Sequence, residues 1–220
     1  MIEWYRTSCD MFKLMEDVEQ LFAYVEKKVE VKSKKFIKFK RIHMRDLWKE
    51  TIDINLDDYL EKEKMFELCI EKKYSVEESE SYEELFYRIF LNEIEPKLKD
   101  MGSLIVHYYP AQMAALSKLS IDDTRYAERF EVYIDGVEIA NAFSELTDKK
   151  EQLRRLKDEQ EERKRLGKQV YDIDMEFIEA LDNMPDSAGI ALGIDRMVKV
   201  MLGCKNIDDV LSLPMSKIFK

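Results

Sequence analysis

Residues 129 to 145 read as two β-strands around one tight turn. Asp135-Gly136 is a strong hairpin signal, because glycine accepts positive φ at no steric cost. Glu131, Glu138 and Glu145 sit among apolar residues on these strands, and Asn141 lies between the last two. Carboxylates on half-buried strands are costly unless something pairs with them. A cation, a metal-bound nucleotide or an amine substrate would do so.

The 220 residues suffice for one domain with a real core. Composition is that of an ordinary globular chain, 45% hydrophobic with 6 Gly and 4 Pro. No apolar run approaches the ~18 residues of a membrane span, so no membrane association is expected. No charged-then-apolar leader opens the chain. Cys9, Cys69 and Cys204 are scattered, which fits a reduced cytoplasmic compartment and does not fit a structural zinc site. With only His43 and His107 in the chain, histidine-based nucleophilic mechanisms are not expected. The net charge of -10 argues against general nucleic-acid affinity. Lys27 to Arg45 runs against that balance, with nine basic residues and one acid, Glu30. It reads as a solvated edge strand whose lysines block edge pairing, or as a docking patch for an acidic macromolecule.

Spacing predicts a strand over Ile2–Tyr5 and a helix over 10–30 capped by Asp10, with Phe12, Met15, Val18, Leu21, Phe22 and Val25 on one face. A short strand follows at Phe36–Ile42. Residues 44 to 100 read as a helical insertion, with helices over Met44–Glu50, Asp57–Lys72 and Tyr82–Ile94. Residues 101 to 220 hold the hairpin core, with a strand over Ser103–Tyr108 ended by Pro110. A charged helix spans Asp148–Gly167, a short helix Asp174–Asn183, a strand Gly189–Asp195 and a helix Asp195–Leu202. The expected fold is α+β, a mostly antiparallel sheet flanked by helices.

Three blocks carry a family resemblance. The hairpin resembles the substrate-binding hairpin of class II lysyl-tRNA synthetases. The run from Gly189 through Gly193, Asp195 and Arg196 to Met197 resembles motif 3, a glycine-containing strand leading into a helix with an arginine at the junction. Met1 to Arg6 resembles the second strand of motif 2. The resemblance implies an adenylating enzyme that uses ATP and Mg2+. Such an enzyme holds nucleotide charge with carboxylate-bound metal while a carboxylate attacks the α-phosphorus in line. It assigns Glu131 and Glu138 to Mg2+ and ATP, a role they are well placed for if they face one another across the hairpin; the alternative is a surface glutamate pair. It assigns Arg196 to the ATP γ-phosphate and adenine, as the expected catalytic residue, and Gly189 and Gly193 to close backbone approach. Glu145 and Tyr5 match positions that hold the ε-ammonium of lysine, Asn141 the residue that contacts the substrate carboxylate, Phe143 a wall of the pocket and Glu3 another acid in it. Phe143 is equally suited to plain core packing.

Ala191 matches the elongation factor P β-lysine ligases, where lysyl-tRNA synthetases usually carry glycine. Its methyl group would reshape the wall around the substrate's backbone atoms. Stretches at Tyr109–Ser117, Arg125–Glu131 and Met184–Ile190 also look like the ligases, and Ser144 departs from them, since they often have histidine there. The implied reaction activates lysine or (R)-β-lysine and passes it to a lysine of elongation factor P. The alternatives are a lysyl-tRNA synthetase fragment that charges a lysine tRNA, and a non-catalytic paralogue that binds an amino acid or a partner. Against the family pattern the chain begins inside motif 2, without motif 1 or the first motif 2 strand and its arginine. A shortened reading frame, a decayed gene or a split protein is the expected origin. The expected assembly is a homodimer or a complex with a chain that supplies the preceding segment.

Overall fold

The computed structural model describes residues 1–29 and 38–218. Its sheet contains Ile2–Thr7 (β1), Lys40–His43 (β2), Ser103–Pro110 (β3), Tyr126–Ile134 (β4), Val137–Ser144 (β5) and Ser187–Leu192 (β6), in the order β1-β6-β5-β4-β3-β2. Neighbours are antiparallel except β2 and β3, which run parallel. A parallel pair needs a long crossover, and helices between residues 44 and 98 supply it. The β4–β5 turn has positive φ at Asp135 (51°) and Gly136 (78°), the combination of a type I′ hairpin.

Strand alternation divides the sheet into two faces. On one, Met11–Lys28 (α1) lays Met11, Leu14, Met15, Val18 and Phe22 onto Ile105, Phe130, Val132, Ala142, Ala188 and Ile190. The Asp10 carboxylate accepts from Phe12 N and Lys13 N, and Ser144 Oγ accepts from Met11 N at 2.9 Å. The buried serine thus ties the start of α1 to the end of β5. This anchoring rotates the helix from the expected face: Met11 and Leu14 are buried, and Phe12 is 37% exposed.

Met44–Ile52 (α2), Lys62–Glu71 (α3), Tyr82–Ile89 (α4) and Glu95–Leu98 (α5) cover the other face only over β2, β3 and part of β4. Trp48, Phe86, Phe90, Leu104, Val106 and Tyr109 belong to that core. The expected helix Asp57–Lys72 is divided into a 3-10 turn at Leu56–Tyr59 and α3. Asp57 explains the division: it accepts from Tyr126 Oη at 2.7 Å and pairs with Arg45 and Arg125, which hold this turn against the sheet. The expected strand Phe36–Ile42 is found as Lys40–His43, with Phe36 and Ile37 outside the described residues. It is an edge strand, and Lys40 and Arg41 pair with Glu50 and Glu19. Motif 3 folds as β6 followed by Ile194–Leu202 (α8), its strand beginning two residues before the expected Gly189 and ending at Leu192. Lys149–Arg165 (α6) and Met175–Ala180 (α7) are capped by Asp148 and Asp174. Among the described residues no helix is long and apolar enough to cross a membrane.

The two histidines meet at the β2–β3 end of the sheet, ring centroids 5.7 Å apart, beside Tyr108 and Tyr126. Burial pushes both imidazoles down to about 4, against about 6.5 when unfolded. The unfolded chain therefore binds more protons between these values. The contribution of this pair to stability is whole above about 6.5 and is lost as pH falls toward 4. Both C2–H proton resonances are expected to titrate below pH 5, with the thermal midpoint falling over that window. Titration of either ring near 6.5 would contradict the burial argument.

Candidate active site

The half of the face left bare by the helices carries polar side chains in cross-strand rows. Glu3, Ala191, Asn141 and Glu131 pair in sequence across β1, β6, β5 and β4. The next row is Tyr5, Gly189, Phe143 and Arg129. A bulge makes the rows. Tyr133 pairs with Glu138 and Val132 with Ala140, so Ile139 is an extra residue. Strict pairing would set Glu131 against Ala140; the extra residue instead sets it against Asn141.

A cleft of about 200 Å³ opens on β1, β5 and β6, lined by Glu3, Tyr5, Asn141, Phe143, Glu145, Gly189 and Ala191. It is smaller than the roughly 300–1,000 Å³ of drug-sized sites, and suits an amino acid. All six expected amino-acid-binding residues line it. Gly189 makes the cleft feasible, because a Cβ there would overlap the Tyr5 ring and Glu145 Oε1. Tyr5, on the edge strand, is 63% exposed. Among the described residues no cation pairs with Glu145, and burial lifts its carboxyl to about 7. A half-buried carboxylate without a counter-charge is the feature an ammonium ligand would complete. Burial, Glu145 and Glu3 also raise the Tyr5 phenol.

Glu131 and Glu138 do not pair across the hairpin, so the facing geometry set as a condition for their shared role is not met. The turn sets Glu138 opposite Tyr133, and the bulge beyond it sets Glu131 opposite Asn141. They nonetheless share the open face, and the Glu138 carboxyl is raised by burial and then by Glu131, with Arg196 opposing. Arg196 Nη1 donates to the Glu138 backbone O at 2.9 Å and to Glu138 Oε2 at 3.2 Å. Its side chain is 52% exposed, so the pair is weakly held and open to a competing anion. Gly193 caps α8, its N–H donating to Ile139 O at 2.9 Å, and places Arg196 on the first turn. No group of three or more His, Cys, Asp or Glu side chains among the described residues could hold a metal ion. Two carboxylates with lone pairs to spare do fit Mg2+ that brings phosphate oxygens with it, the usual way that ion is bound.

Arg129 was not among the expected site residues, although it stands beside them. Nη2 donates to Glu131 Oε1 at 2.7 Å, Nε to Asn141 Oδ1 at 3.3 Å and Nη1 to Met113 O at 3.1 Å. Its guanidinium lies over the Tyr109 ring, 4.6 Å from the centroid. Tyr133 Oη donates to the other Glu131 oxygen at 2.6 Å. The sequence signal is the i, i+2 spacing of Arg129, Glu131 and Tyr133, which puts all three on one strand face. Larger clefts of about 700 and 670 Å³ flank α6. Acids along α6 and just before α4 pair with arginines, as in Glu151 with Arg154 and Arg155 and Glu80 with Arg88.

A sheet with in-register polar rows on one uncovered half-face, and an arginine at the following helix start, is the arrangement expected of a class II synthetase domain. The family model described as tRNA synthetases class II (D, K and N) matches residues 1–217, and the chain belongs to that family. It is 34% identical over 218 residues to the elongation factor P–(R)-β-lysine ligase of Yersinia enterocolitica, covering 99% of this chain and 65% of that protein. The ligases of Avibacterium paragallinarum and Buchnera aphidicola are each 33% identical, covering 96% and 99% of this chain and 63% and 66% of theirs. The chain thus spans about two thirds or less of the length of these relatives.

Proposed function

We propose that this chain is an ATP-dependent aminoacyl ligase of the class II type, which activates lysine or (R)-β-lysine and transfers it to a lysine of elongation factor P. The observation that carries the proposal is the small cleft with its unpaired Glu145, beside Glu131, Glu138 and Arg196 on the same face. The relatives named as elongation factor P ligases support the acceptor. In this reading Glu145 and Tyr5 hold the side-chain ammonium, and Asn141 holds the carboxylate, with Glu3, Phe143 and Ala191 as walls. Glu131 and Glu138 hold Mg2+, which neutralises phosphate charge. Gly193 lets the nucleotide approach, and Arg196 leaves Glu138 for the γ-phosphate. A substrate carboxylate oxygen attacks the α-phosphorus and pyrophosphate leaves. The acceptor amine then attacks the acyl carbon, forming an amide and releasing AMP. The reactants place the chain in the cytoplasm, working as one catalytic domain with residues 44–100 as a helical insertion and 101–220 as the hairpin and motif 3 core.

Amino-acid-dependent ATP–pyrophosphate exchange tests this, with lysine and (R)-β-lysine compared. Exchange favouring (R)-β-lysine supports the ligase, exchange with lysine and charging of a lysine tRNA favours a synthetase activity, and binding without exchange favours a non-catalytic paralogue. Ala191→Gly is expected to shift the preference toward lysine by about tenfold, the scale of one methyl group in a pocket wall. An unchanged ratio would remove Ala191 from the specificity set.

A further inference from the structure

We infer that Arg129 is a positioning residue that couples the two halves of this site: one guanidinium ties the nucleotide-side Glu131 to the amino-acid-side Asn141. The inference rests on the assignment of those two subsites under the proposed function. The geometry gives Arg129 two tasks. By donating to Asn141 Oδ1 at 3.3 Å it engages the acceptor end of that amide, leaving the N–H₂ group free to donate to a substrate carboxylate. By donating to Glu131 Oε1 at 2.7 Å it fixes one edge of the carboxylate on the nucleotide side.

Arg129 is itself over-determined. Its third contact is the Met113 carbonyl, at 3.1 Å, and the Tyr109 ring supports one face. The side chains of Arg129 and Glu131 are 13% and 7% exposed, so solvent cannot substitute for either partner. A planar guanidinium fork can serve both residues at once, whereas a lysine ammonium on a flexible stem serves Glu131 and loses Asn141. A ligand that orders Glu131 therefore orders Asn141 through a shared donor, and the reverse holds by linkage.

The test is calorimetric titration of the full chain with the preferred amino acid, with and without a non-hydrolysable ATP analogue and Mg2+. In the wild type the analogue is expected to tighten amino-acid binding on the order of tenfold. In Arg129→Lys that enhancement should fall below about twofold, while the nucleotide affinity itself changes by less than about threefold. A merely structural role would weaken both ligands and leave their ratio alone. Wild-type coupling retained in Arg129→Lys overturns the inference, as does independent binding of the two ligands to the wild type. Failure of the wild type to bind either ligand instead overturns the proposed function, and this inference with it. Should Arg129→Lys not fold, arginine-selective nitrogen labelling of the wild type decides. The Arg129 Nε–H resonance is expected to shift with either ligand alone, and a response to only one, or to neither, overturns the coupling.

Discussion

Gly189→Ala is expected to abolish useful amino-acid binding while leaving the sheet folded. A Cβ at this position would overlap the Tyr5 ring and Glu145 Oε1, the two groups that close the small cleft over β6. Tyr5 lies on an edge strand and can swing away, so the fold has a means of relief. The cleft does not, because relief displaces the groups that hold the ammonium. Overpacking one well-fitted position costs about 1–3 kcal/mol. If most of that falls on the bound state, affinity drops about tenfold to a hundredfold. Calorimetric titration with lysine and (R)-β-lysine measures the loss, and the thermal midpoint checks the fold. An alanine variant that binds as tightly as the wild type would mean that the amino acid sits elsewhere.

Glu145→Gln is expected to have an effect of similar size and a distinct pH signature. Removing one partner of a desolvated charge pair costs about 2–5 kcal/mol. The lower end applies here, because the cleft is open to solvent, so roughly a thirtyfold to hundredfold loss is expected. Burial lifts the Glu145 carboxyl to about 7, so the free site is largely neutral below that pH. Ammonium binding should therefore weaken about tenfold per pH unit below 7 and level off above it. Glutamine should abolish that slope. Stability moves the other way. The folded chain keeps this proton to about 7, against 4.5 for an ordinary glutamate, so its contribution is whole below 4.5 and is lost as pH rises to about 7. Affinity that is flat from pH 5 to 8 in the wild type would refute the assignment of Glu145 to the ammonium.

Much of this was legible in the chain because strand periodicity and turn chemistry are local. Asp135-Gly136 marks the hairpin, and alternation puts Asn141 and Phe143 on the face opposite Ala142. The rest depends on partners distant in sequence. The break before α3 follows from Asp57 meeting Tyr126 and Arg125. The rotation of α1 follows from Ser144 holding Met11, a contact across 133 residues. The role of Arg129 follows from a register that only the bulge creates. The meeting of Glu131 with Asn141 follows from that bulge too, whereas Glu138 meets Tyr133 with or without it.

The bulge at Ile139 bears on how this protein can change. Glu138 and Asn141 are three positions apart, an odd interval, yet both lie on the open face because the extra residue resets the alternation. Deleting either residue between them would remove the bulge and leave a regular ladder in which Asn141 still meets Glu131 on the open face. Were the full-length strand to pair without its bulge, Asn141 and Phe143 would enter the apolar layer under α1, and Ala142 would replace them in the cleft. The pairing of β5 is thus a message with one legal frame. Single substitutions can tune the cleft, and a deletion at the bulge spares it, but a slip of the ladder by one residue does not. Ligand binding therefore doubles as proof that the strand was threaded in its proper phase.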